Sequence, residues 1–208
     1  DASHELRSPL TVIRIASDIL LSEQVLTPPA QKSVLKIKRA ADDMEDLTES
    51  FLLLARETDN GLSTDEVCIN EKIDEEIERA QAFNRTQKIP INVSSTGRLL
   101  IPAADKVVSV LLGNLIRNAI LYTEHGNIDI TVTHSSVIIK DSGIGIPEDQ
   151  VEQIFSPFYR GNNTTAVGHG VGLTIVKRLS DRFGWPLRIE SAPDKGTRIE
   201  ILFKAAEA

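Results

Sequence analysis

The chain has 208 residues, of which 41% are hydrophobic and only 4% aromatic, and its formal net charge is −7 at neutral pH. That length allows one large or two modest domains with aliphatic cores, and the acidic balance argues against nucleic acid or an anionic membrane surface as the main partner. Cys68 is the only cysteine, which excludes an internal disulfide and favours a reducing compartment; the four histidines lack the close spacing of zinc ligands. No apolar run approaches the roughly 18 residues that a membrane helix needs, and the sequence predicts no signal peptide. Because the chain begins with Asp1, we expect it to be part of a longer protein.

Residues 1–57 predict two helices joined by a turn at residues 27–29, where two prolines suit the first turn of the second helix. Apolar positions recur every three or four residues, which places each set on one helix face. The first stripe contains Leu6, Leu10, Ile13, Ser17 and Leu20, and the second contains Ile37, Ala41, Met44, Thr48, Phe51 and Leu54. Because a two-helix hairpin cannot bury both stripes alone, we expect a four-helix bundle with a second copy. Packing on the rest of the same chain is the alternative.

Residues 58–65 lose this periodicity and are rich in turn residues, so we place a linker there between a hairpin domain (1–57) and a second domain (66–208). The second domain predicts strands at 67–69, 89–93, 98–101, 128–132, 137–140, 187–191 and 198–203. We expect Asn70 to cap one helix, Pro102 to start another that reaches Tyr122, and Val171 to open a third that ends at Phe183. This irregular alternation favours an α+β fold in which the second domain is a two-layer α/β sandwich with a mixed sheet.

The helix predicted at 102–122 carries Asn114 and Asn118, four residues apart and therefore on one face. Amide side chains among aliphatic residues need partners if they are buried. An amide carbonyl is also a hard oxygen ligand of the kind that Mg²⁺ accepts beside phosphates and water. The pair therefore favours a nucleotide–metal site on this helix.

Two glycine clusters, at 143–145 and 168–172, bracket a polar loop of about twenty residues, a length that is usually functional or disordered. The first cluster follows Asp141 at the end of a predicted strand, and the second opens a predicted helix. Glycines before a helix leave backbone N–H groups uncovered, where the positive end of the helix dipole attracts phosphate. The arrangement predicts a nucleotide held beneath a movable loop. No P-loop motif occurs, and the glycine spacing does not fit a dinucleotide fold.

In chain order, these motifs resemble those of the sensor histidine kinases of two-component systems. Residues 114–118, 141–145, 155–158 and 168–172 resemble the N, G1, F and G2 boxes of that family, and residues 4–10 resemble its H box. The resemblance implies a dimerisation and histidine phosphotransfer hairpin followed by an ATP-binding domain of the GHKL type. It also implies an enzyme that uses ATP and Mg²⁺ to autophosphorylate His4, and that passes the phosphoryl group to an aspartate of a response-regulator receiver domain.

The resemblance implies roles for single residues as well. Glu5 would orient His4 or help take its proton, and Asn118 would hold Mg²⁺. Asp141 would accept the adenine amino group, and Phe155 and Phe158 would anchor the loop by packing. The implied nucleotide site contains Asn114, Asn118, Tyr122, Asp141, Gly143, Gly145, Phe155, Phe158, Arg160, Gly168, Gly170, Gly172 and Thr197.

Three positions bear on the activity that this resemblance implies. Asn114 stands where hydrolytic relatives carry a water-activating glutamate, which favours transfer over hydrolysis. Leu121 replaces a basic residue that many relatives use on phosphate, so Arg117, Arg160 and His169 are the candidates for that charge. Ser8 stands where threonine or asparagine is usual in the motif linked to dephosphorylation of the regulator, and it keeps a hydroxyl.

Pro9 leaves two arrangements open around His4. A helix that runs through Pro9 would carry His4 one turn before a bend, and the continuing stripe of Leu6, Leu10 and Ile13 favours this arrangement. In the alternative, Ser8 caps the helix, Pro9 begins it, and His4 lies in a tail.

The sequence therefore predicts the cytoplasmic, homodimeric catalytic part of a bacterial inner-membrane sensor kinase. Membrane contact would come only through segments absent from this chain, and nucleic acid is not an expected partner. With three residues before His4, we expect a truncated first helix and a weakened dimer. The alternative function is a weakly active nucleotide-binding transmitter module that mainly docks or dephosphorylates its regulator.

Overall fold

The computed structural model describes residues 2–22, 26–56, 65–84, 89–156, 159 and 171–203. The chain forms two compact units, Asp1–Asn60 and Gly61–Ala208. The boundary between them falls within the predicted linker, whose residues up to 64 lie outside the described part of the chain. None of the described helices combines the length and the apolar composition that a membrane span requires.

The first unit is a hairpin of two helices, α1 (Ala2–Ser22) and α2 (Pro28–Arg56). Helix α1 runs through Pro9, so the predicted arrangement with His4 on the helix is confirmed and the alternative in which Pro9 begins it is wrong. Helix α2 begins at Pro28, where proline's missing N–H costs no intrahelical bond. The Thr27 carbonyl accepts the first helical hydrogen bond, from Gln31 N at 2.9 Å.

The two helices of the hairpin pack through small and aliphatic side chains and are joined by ion pairs. Leu10, Ser17, Val34 and Ala41 are buried. Arg14 Nη1 lies 3.0 Å from Glu45 Oε2, and Lys38 pairs with Asp18.

The predicted stripes were only partly right, because several of their members point outward. Ile13, Leu20, Ile37 and Met44 are 40%, 42%, 53% and 57% exposed. A further apolar set on α1, missed by the sequence analysis, is also exposed: Val12, Ile15 and Ile19. The hairpin thus buries one narrow seam and leaves apolar side chains exposed on both helices.

The second unit contains seven strands and three α-helices among its described residues. In chain order these are β1 (Asp65–Cys68), α3 (Ile69–Asn84), β2 (Ile91–Ser95), β3 (Leu100–Ala103), α4 (Asp105–Tyr122), β4 (Ile128–Val132), β5 (Ser136–Asp141), α5 (Gly172–Phe183), β6 (Leu187–Ser191) and β7 (Thr197–Leu202). Two short 3-10 turns, Glu148–Gln150 and Gln153–Phe155, lie between β5 and α5.

Five strands form one mixed sheet in the order β2-β4-β5-β7-β6, and β1 and β3 form a separate two-stranded sheet. Strand β2 runs parallel to β4, and all other neighbours are antiparallel. Ile130, Ile139 and Ile199 stand opposite one another across three strands, and all three are buried. In β4 and β7 polar residues alternate with them, which is the pattern of a sheet covered on one face.

Helix α4 packs on β5 and contacts both α3 and α5, so the helices form the second layer. Its fully buried residues include Leu111, Leu112 and Ile116. The predicted α+β fold, a helical hairpin followed by a two-layer sandwich with a mixed sheet, is therefore confirmed. The four-helix bundle of a dimer stays a prediction.

Two predicted helix starts were wrong. Pro102 lies in β3 and not at the start of α4, which begins at Asp105. Strand β3 has a neighbour on one side only, a position that tolerates proline's missing N–H. Asn70 lies inside α3 and is not its cap: its side chain accepts a bond from Leu99 N at 3.0 Å and donates to Gly97 O at 3.2 Å. It ties the start of the helix to the loop between β2 and β3.

Candidate functional site

Asp141 is the last residue of β5 and lies on the buried, helix-facing side of the sheet, only 8% exposed. Its Oδ1 accepts hydrogen bonds from Gly143 N at 2.9 Å and from Thr197 N at 3.2 Å. Antiparallel pairing of β5 with β7 places Lys140 opposite Arg198, so the end of one strand meets the start of the other. The carboxylate is thus held from two directions by backbone donors.

Burial raises the pKa of the Asp141 carboxyl above its ordinary value, because a charge in a poorly solvated place is disfavoured. The backbone N–H groups of Gly143 and Thr197 stabilise the ionised form and oppose that rise in pKa. A buried carboxylate with a perturbed pKa at a turn is a candidate for ligand recognition.

The turn after Asp141 fits so closely that only glycine can occupy two of its positions. A Cβ on Gly143 would lie 2.1 Å from Tyr122 O, and one on Gly145 would lie 1.9 Å from Ala192 O. Gly145 also has a φ of +68°, which side chains rarely adopt. Ile144 N donates to Tyr122 O at 3.2 Å, so the turn is fixed to the C-terminal end of α4.

The connection between β6 and β7 forms the other wall of this turn. Gly196 has a φ of +74°, and a Cβ there would lie 1.9 Å from Asp141 O. Asp194 N donates to Ile144 O at 2.8 Å. Gly196 lies between the strands predicted at 187–191 and 198–203 and was not among the predicted site residues. Its place in a Pro-Asp-Lys-Gly turn was the available signal for a positive φ.

Ser142 fastens the turn to the loop between α4 and β4. Its hydroxyl accepts a hydrogen bond from Asn127 N at 2.9 Å, and a Cβ on Gly126 would lie 2.1 Å from that oxygen. Ser142 was also missed as a candidate, and a serine between two motif residues carries no pattern that would have found it.

The predicted pair of asparagines lies on α4 where that helix meets the start of α5. Asn114 is buried, donates to Val110 O at 2.7 Å, and accepts a bond from Arg117 Nη2 at 2.8 Å. A Cβ on Gly172, the first residue of α5, would lie 2.9 Å from Asn114 Oδ1 and 3.6 Å from the Asn118 amide. Glycine at 172 therefore lets the N-terminus of α5 reach the asparagine face.

The first turn of α5 has backbone N–H groups without intrahelical acceptors, which is the usual anion-binding feature of a helix start. Thr174 in this turn is buried, and its Oγ1 has no hydrogen-bond partner among the described residues. Phe155 is half-buried at the end of the 3-10 turn Gln153–Phe155, and that turn contacts α5.

Helix α4 contacts both glycine turns. Tyr122 at its C-terminal end meets the turn at Gly143, and Asn114 meets Gly172. The two residues are eight positions apart, which is about 12 Å along a helix. The arrangement fits an extended ligand with one polar end at Asp141 and an anionic end at the start of α5.

Not every predicted site residue falls in the described part of the chain. The described residues are Asn114, Asn118, Tyr122, Asp141, Gly143, Gly145, Phe155, Gly172 and Thr197, and they lie on the C-terminal half of α4, in or beside the turn after Asp141, or at elements that contact or begin α5. Phe158, Arg160, Gly168, His169 and Gly170 lie outside the described residues. His4, Glu5 and Ser8 lie in α1, and their side chains are outside the described part.

The described residues form no group of three or more His, Cys, Asp or Glu side chains that could hold a metal ion. A divalent cation at this site would rest on amide oxygens, such as that of Asn118 beside the start of α5, and on oxygens of the ligand.

Two family models match the chain. Residues 1–60 match the His Kinase A (phospho-acceptor) domain. Residues 104–207 match the family described as histidine kinase-, DNA gyrase B-, and HSP90-like ATPase.

Curated relatives match over nearly the whole chain. Sensor histidine kinase YkoH of Bacillus subtilis is 32% identical over 215 residues, covering 98% of this chain and 46% of the relative. Signal transduction histidine-protein kinase/phosphatase MprB of Mycobacterium sp. (strain KMS) is 29% identical over 209 residues, covering 94% of this chain and 40% of the relative. The chain thus spans about half the length, or less, of these relatives.

Among solved structures, full-length ShkA in complex with AMPPNP superimposes with a TM-score of 0.68 at 24% identity, covering 99% of this chain and 46% of that one. At that identity the likeness supports the fold alone. It extends over both the helical hairpin and the α/β sandwich.

Proposed function

The chain belongs to the sensor histidine kinases of two-component systems, with a phospho-acceptor hairpin and a GHKL-type ATPase domain, and from this premise we propose that it is an ATP-dependent protein-histidine kinase. His4 would accept the phosphoryl group from ATP and pass it to an aspartate of a response-regulator receiver domain. The proposal rests mainly on one observation. Within one domain, α4 contacts both the turn that follows the buried Asp141 carboxylate and the start of α5 at Gly172.

The adenine end of the site is assigned to the turn around Asp141. Both backbone donors bind Oδ1, which leaves Oδ2 to accept the exocyclic amino group of adenine. Gly143 and Gly145 let the backbone come close to the base, with Tyr122 and Thr197 beside it. A ring with a carbonyl in place of that amino group would present an acceptor to an acceptor, so adenine should be preferred over guanine.

The phosphate end is assigned to α4 and the start of α5. The uncovered N–H groups after Gly172 are suited to phosphate oxygens, and Gly168 and Gly170 would let the preceding loop close over them. Asn118 fits a Mg²⁺ ligand because its amide lies beside the start of α5 and offers a hard oxygen. Mg²⁺ in that position would neutralise charge on the phosphates. Arg117, Arg160 and His169 are the candidates for the cation that Leu121 does not supply.

His4 is suited to the acceptor role because a neutral imidazole is a usable nucleophile at cellular pH. A ring nitrogen would bond to the γ-phosphorus while the bond to the β–γ bridging oxygen breaks and ADP leaves. The carboxylate of Glu5, one residue away, would favour the imidazolium that forms and help take its proton.

Asn114 supports transfer over hydrolysis. An amide cannot act as the base that activates water. The side chain also donates a hydrogen bond to Val110 O and accepts one from Arg117. A water molecule at this position would therefore meet no general base.

Homodimerisation through the hairpin is part of the proposal. The hairpin exposes apolar side chains on both helices, Val12, Ile15 and Ile19 on α1 and Ile37 and Met44 on α2, each more than half exposed. A patch of this kind is the usual mark of an interface, and a second copy would complete a four-helix bundle. Cytoplasmic placement beneath a bacterial inner membrane is proposed on the same basis of family.

A second function, dephosphorylation of the regulator, is favoured by the relative named kinase/phosphatase and by the hydroxyl at Ser8. The test is release of phosphate from an acetyl-phosphate-treated receiver domain, with Ser8→Ala expected to remove it. Equal release by the wild type and by Ser8→Ala would count against this role for Ser8.

The kinase proposal is tested by incubating the chain with γ-labelled ATP and Mg²⁺. We expect acid-labile, alkali-stable label that is absent from His4→Ala and retained in His134→Ala, a matched removal of an exposed histidine at the β4–β5 turn. No label on the wild type, or equal label on both variants, would refute autophosphorylation of His4.

A further inference from the structure

We propose that Ser191 is a positioning residue for base recognition: its hydroxyl joins the 142–146 turn to the 192–197 turn and so fixes the Asp141 carboxylate. The inference rests on the proposed nucleotide function and adds a residue that none of the sequence motifs contains. Ser191 is the last residue of β6 and is half-buried.

The hydrogen bonds of Ser191 fill the capacity of its hydroxyl. Ile146 N donates to Ser191 Oγ at 2.8 Å, and Ser191 Oγ donates to Gly196 O at 2.8 Å. Thr197 Oγ1 lies 2.9 Å away. Because a serine hydroxyl has one proton and two acceptor sites, and the proton goes to Gly196 O, Thr197 is the donor in this third bond. Ser191 thus accepts one hydrogen bond from the 142–146 turn. It donates one hydrogen bond to the 192–197 turn and accepts one from it.

These bonds lead directly to the carboxylate. Thr197 binds Ser191 through its hydroxyl and donates its backbone N–H to Asp141 Oδ1 at 3.2 Å. Gly196, whose carbonyl Ser191 holds, lies so close to Asp141 O that a Cβ would be 1.9 Å from it. A shift of the 192–197 turn would therefore move a donor of Asp141 and change where its free oxygen points.

Loss of the Ser191 hydroxyl should misalign the site without unfolding it. Asp194 N still donates to Ile144 O at 2.8 Å, so the two turns remain joined through their backbones. The expected result is a selective loss at the adenine end, because the hydrogen bonds of Ser191 lead to Ile146, Gly196 and Thr197 and not to the phosphate end at Gly172 and Asn118.

The experiment compares the binding of Mg-ATP and Mg-GTP to the 208-residue chain and to three variants. Ser191→Ala is expected to weaken ATP binding about tenfold and GTP binding less than about twofold, the scale of one hydrogen bond lost from a buried network. Ser191→Thr keeps the hydroxyl and should retain most of the preference for ATP. Ser94→Ala is the matched control, since Ser94 is also a strand serine paired with a threonine hydroxyl, that of Thr131 at 3.1 Å, and should bind both nucleotides as the wild type does.

Equal losses for the two nucleotides in Ser191→Ala, or no loss, would overturn the inference and leave the proposed function standing. If the wild type shows no preference for ATP over GTP, the result would contradict the adenine recognition of the proposed function, and the inference would be wrong as well. Should Ser191→Ala not fold, Thr197→Val removes the hydroxyl that donates to Ser191 and keeps the side-chain shape. It must then show the same selective loss, and an unchanged ratio of affinities would overturn the inference.

Discussion

Asp141 Oδ1 accepts a hydrogen bond from the backbone N–H of Thr197, 56 residues further along the chain, at 3.2 Å. The bond joins the end of β5 to the start of β7, two strands that pair antiparallel in the middle of the sheet. Strand pairing in the sheet therefore positions the turn after Asp141, and we expect substitutions on either strand to change nucleotide affinity.

Replacing Asp141 by asparagine should separate function from stability. The variant keeps an Oδ1 that can accept from Gly143 and Thr197, but its NH₂ group cannot accept a hydrogen bond from adenine. We expect ATP affinity to fall at least about tenfold, the scale of a hydrogen bond to a charged group. Equilibrium titration with Mg-ATP measures this, and unchanged affinity would exclude Asp141 from base recognition.

The same substitution should gain stability relative to the wild type as pH rises. Burial raises the pKa of Asp141, so between its unfolded-state pKa, near 3.8, and the higher folded-state pKa the folded protein holds more protons than the unfolded chain. The contribution of Asp141 to the free energy of unfolding therefore decreases as pH rises through that window and is smallest above it. Urea denaturation of wild type and Asp141→Asn across this range should show the variant's advantage growing with pH. If the stability of the variant relative to the wild type falls as pH rises, the pKa of Asp141 is not raised in the folded protein.

Replacing Gly196, in the 192–197 turn, should lower the free energy of unfolding far more than replacing Gly184, which has a similar backbone conformation. Gly196 and Gly184 have φ values of +74° and +63°, but a Cβ at 184 would meet nothing within 4 Å. Gly184→Ala is expected to lower the free energy of unfolding by about 1 kcal/mol, and Gly196→Ala by about 3 kcal/mol or more, because steric overlap with Asp141 O adds to the backbone strain. Urea denaturation measures both, and equal losses would show that the turns are not packed as described.

Thr174 should tolerate the loss of its hydroxyl. Its buried Oγ1 has no partner among the described residues, whereas the equally buried Thr123 donates to Ala119 O at 2.7 Å. Thr174→Val is expected to leave the free energy of unfolding unchanged or raise it by up to about 1 kcal/mol, and Thr123→Val to lower it by about 1 kcal/mol. The reverse order in urea denaturation would mean that the Thr174 hydroxyl is satisfied.

The apolar surface of the hairpin predicts a specific response of the dimer. Ile37 and Lys36 are adjacent exposed residues of α2, and both can be changed to glutamine. Ile37→Gln is expected to raise the dimer dissociation constant at least about tenfold, because two isoleucine side chains leave the interface. Lys36→Gln should leave it nearly unchanged. Sedimentation equilibrium measures both, and equal dissociation constants for the two variants would place the dimer interface elsewhere.

Much of the local structure could be predicted because it depends on short-range patterns. The strands Ile128–Val132 and Leu187–Ser191 were predicted with their observed bounds, the first from its alternation of apolar and polar residues. The apolar spacing of α5 gave its end at Phe183. Side chains alternate or recur along one element whatever lies next to it, so these patterns are visible in a single sequence.

What the sequence could not supply depends on contacts between distant segments. Pro102 reads as a helix start until β1 is known to pair with β3, and Asn70 as a cap until the loop at 97–99 is known to lie beside it.

By itself, the sequence determined the α+β class and the order of the motifs, since these depend on residue type and spacing, while the roles of Asp141, Asn118 and His4 stay predictions. Only the tertiary structure decided that Ser191 and Gly196 belong beside Asp141, because strand pairing and close backbone approach are non-local and leave no periodic signal in the chain.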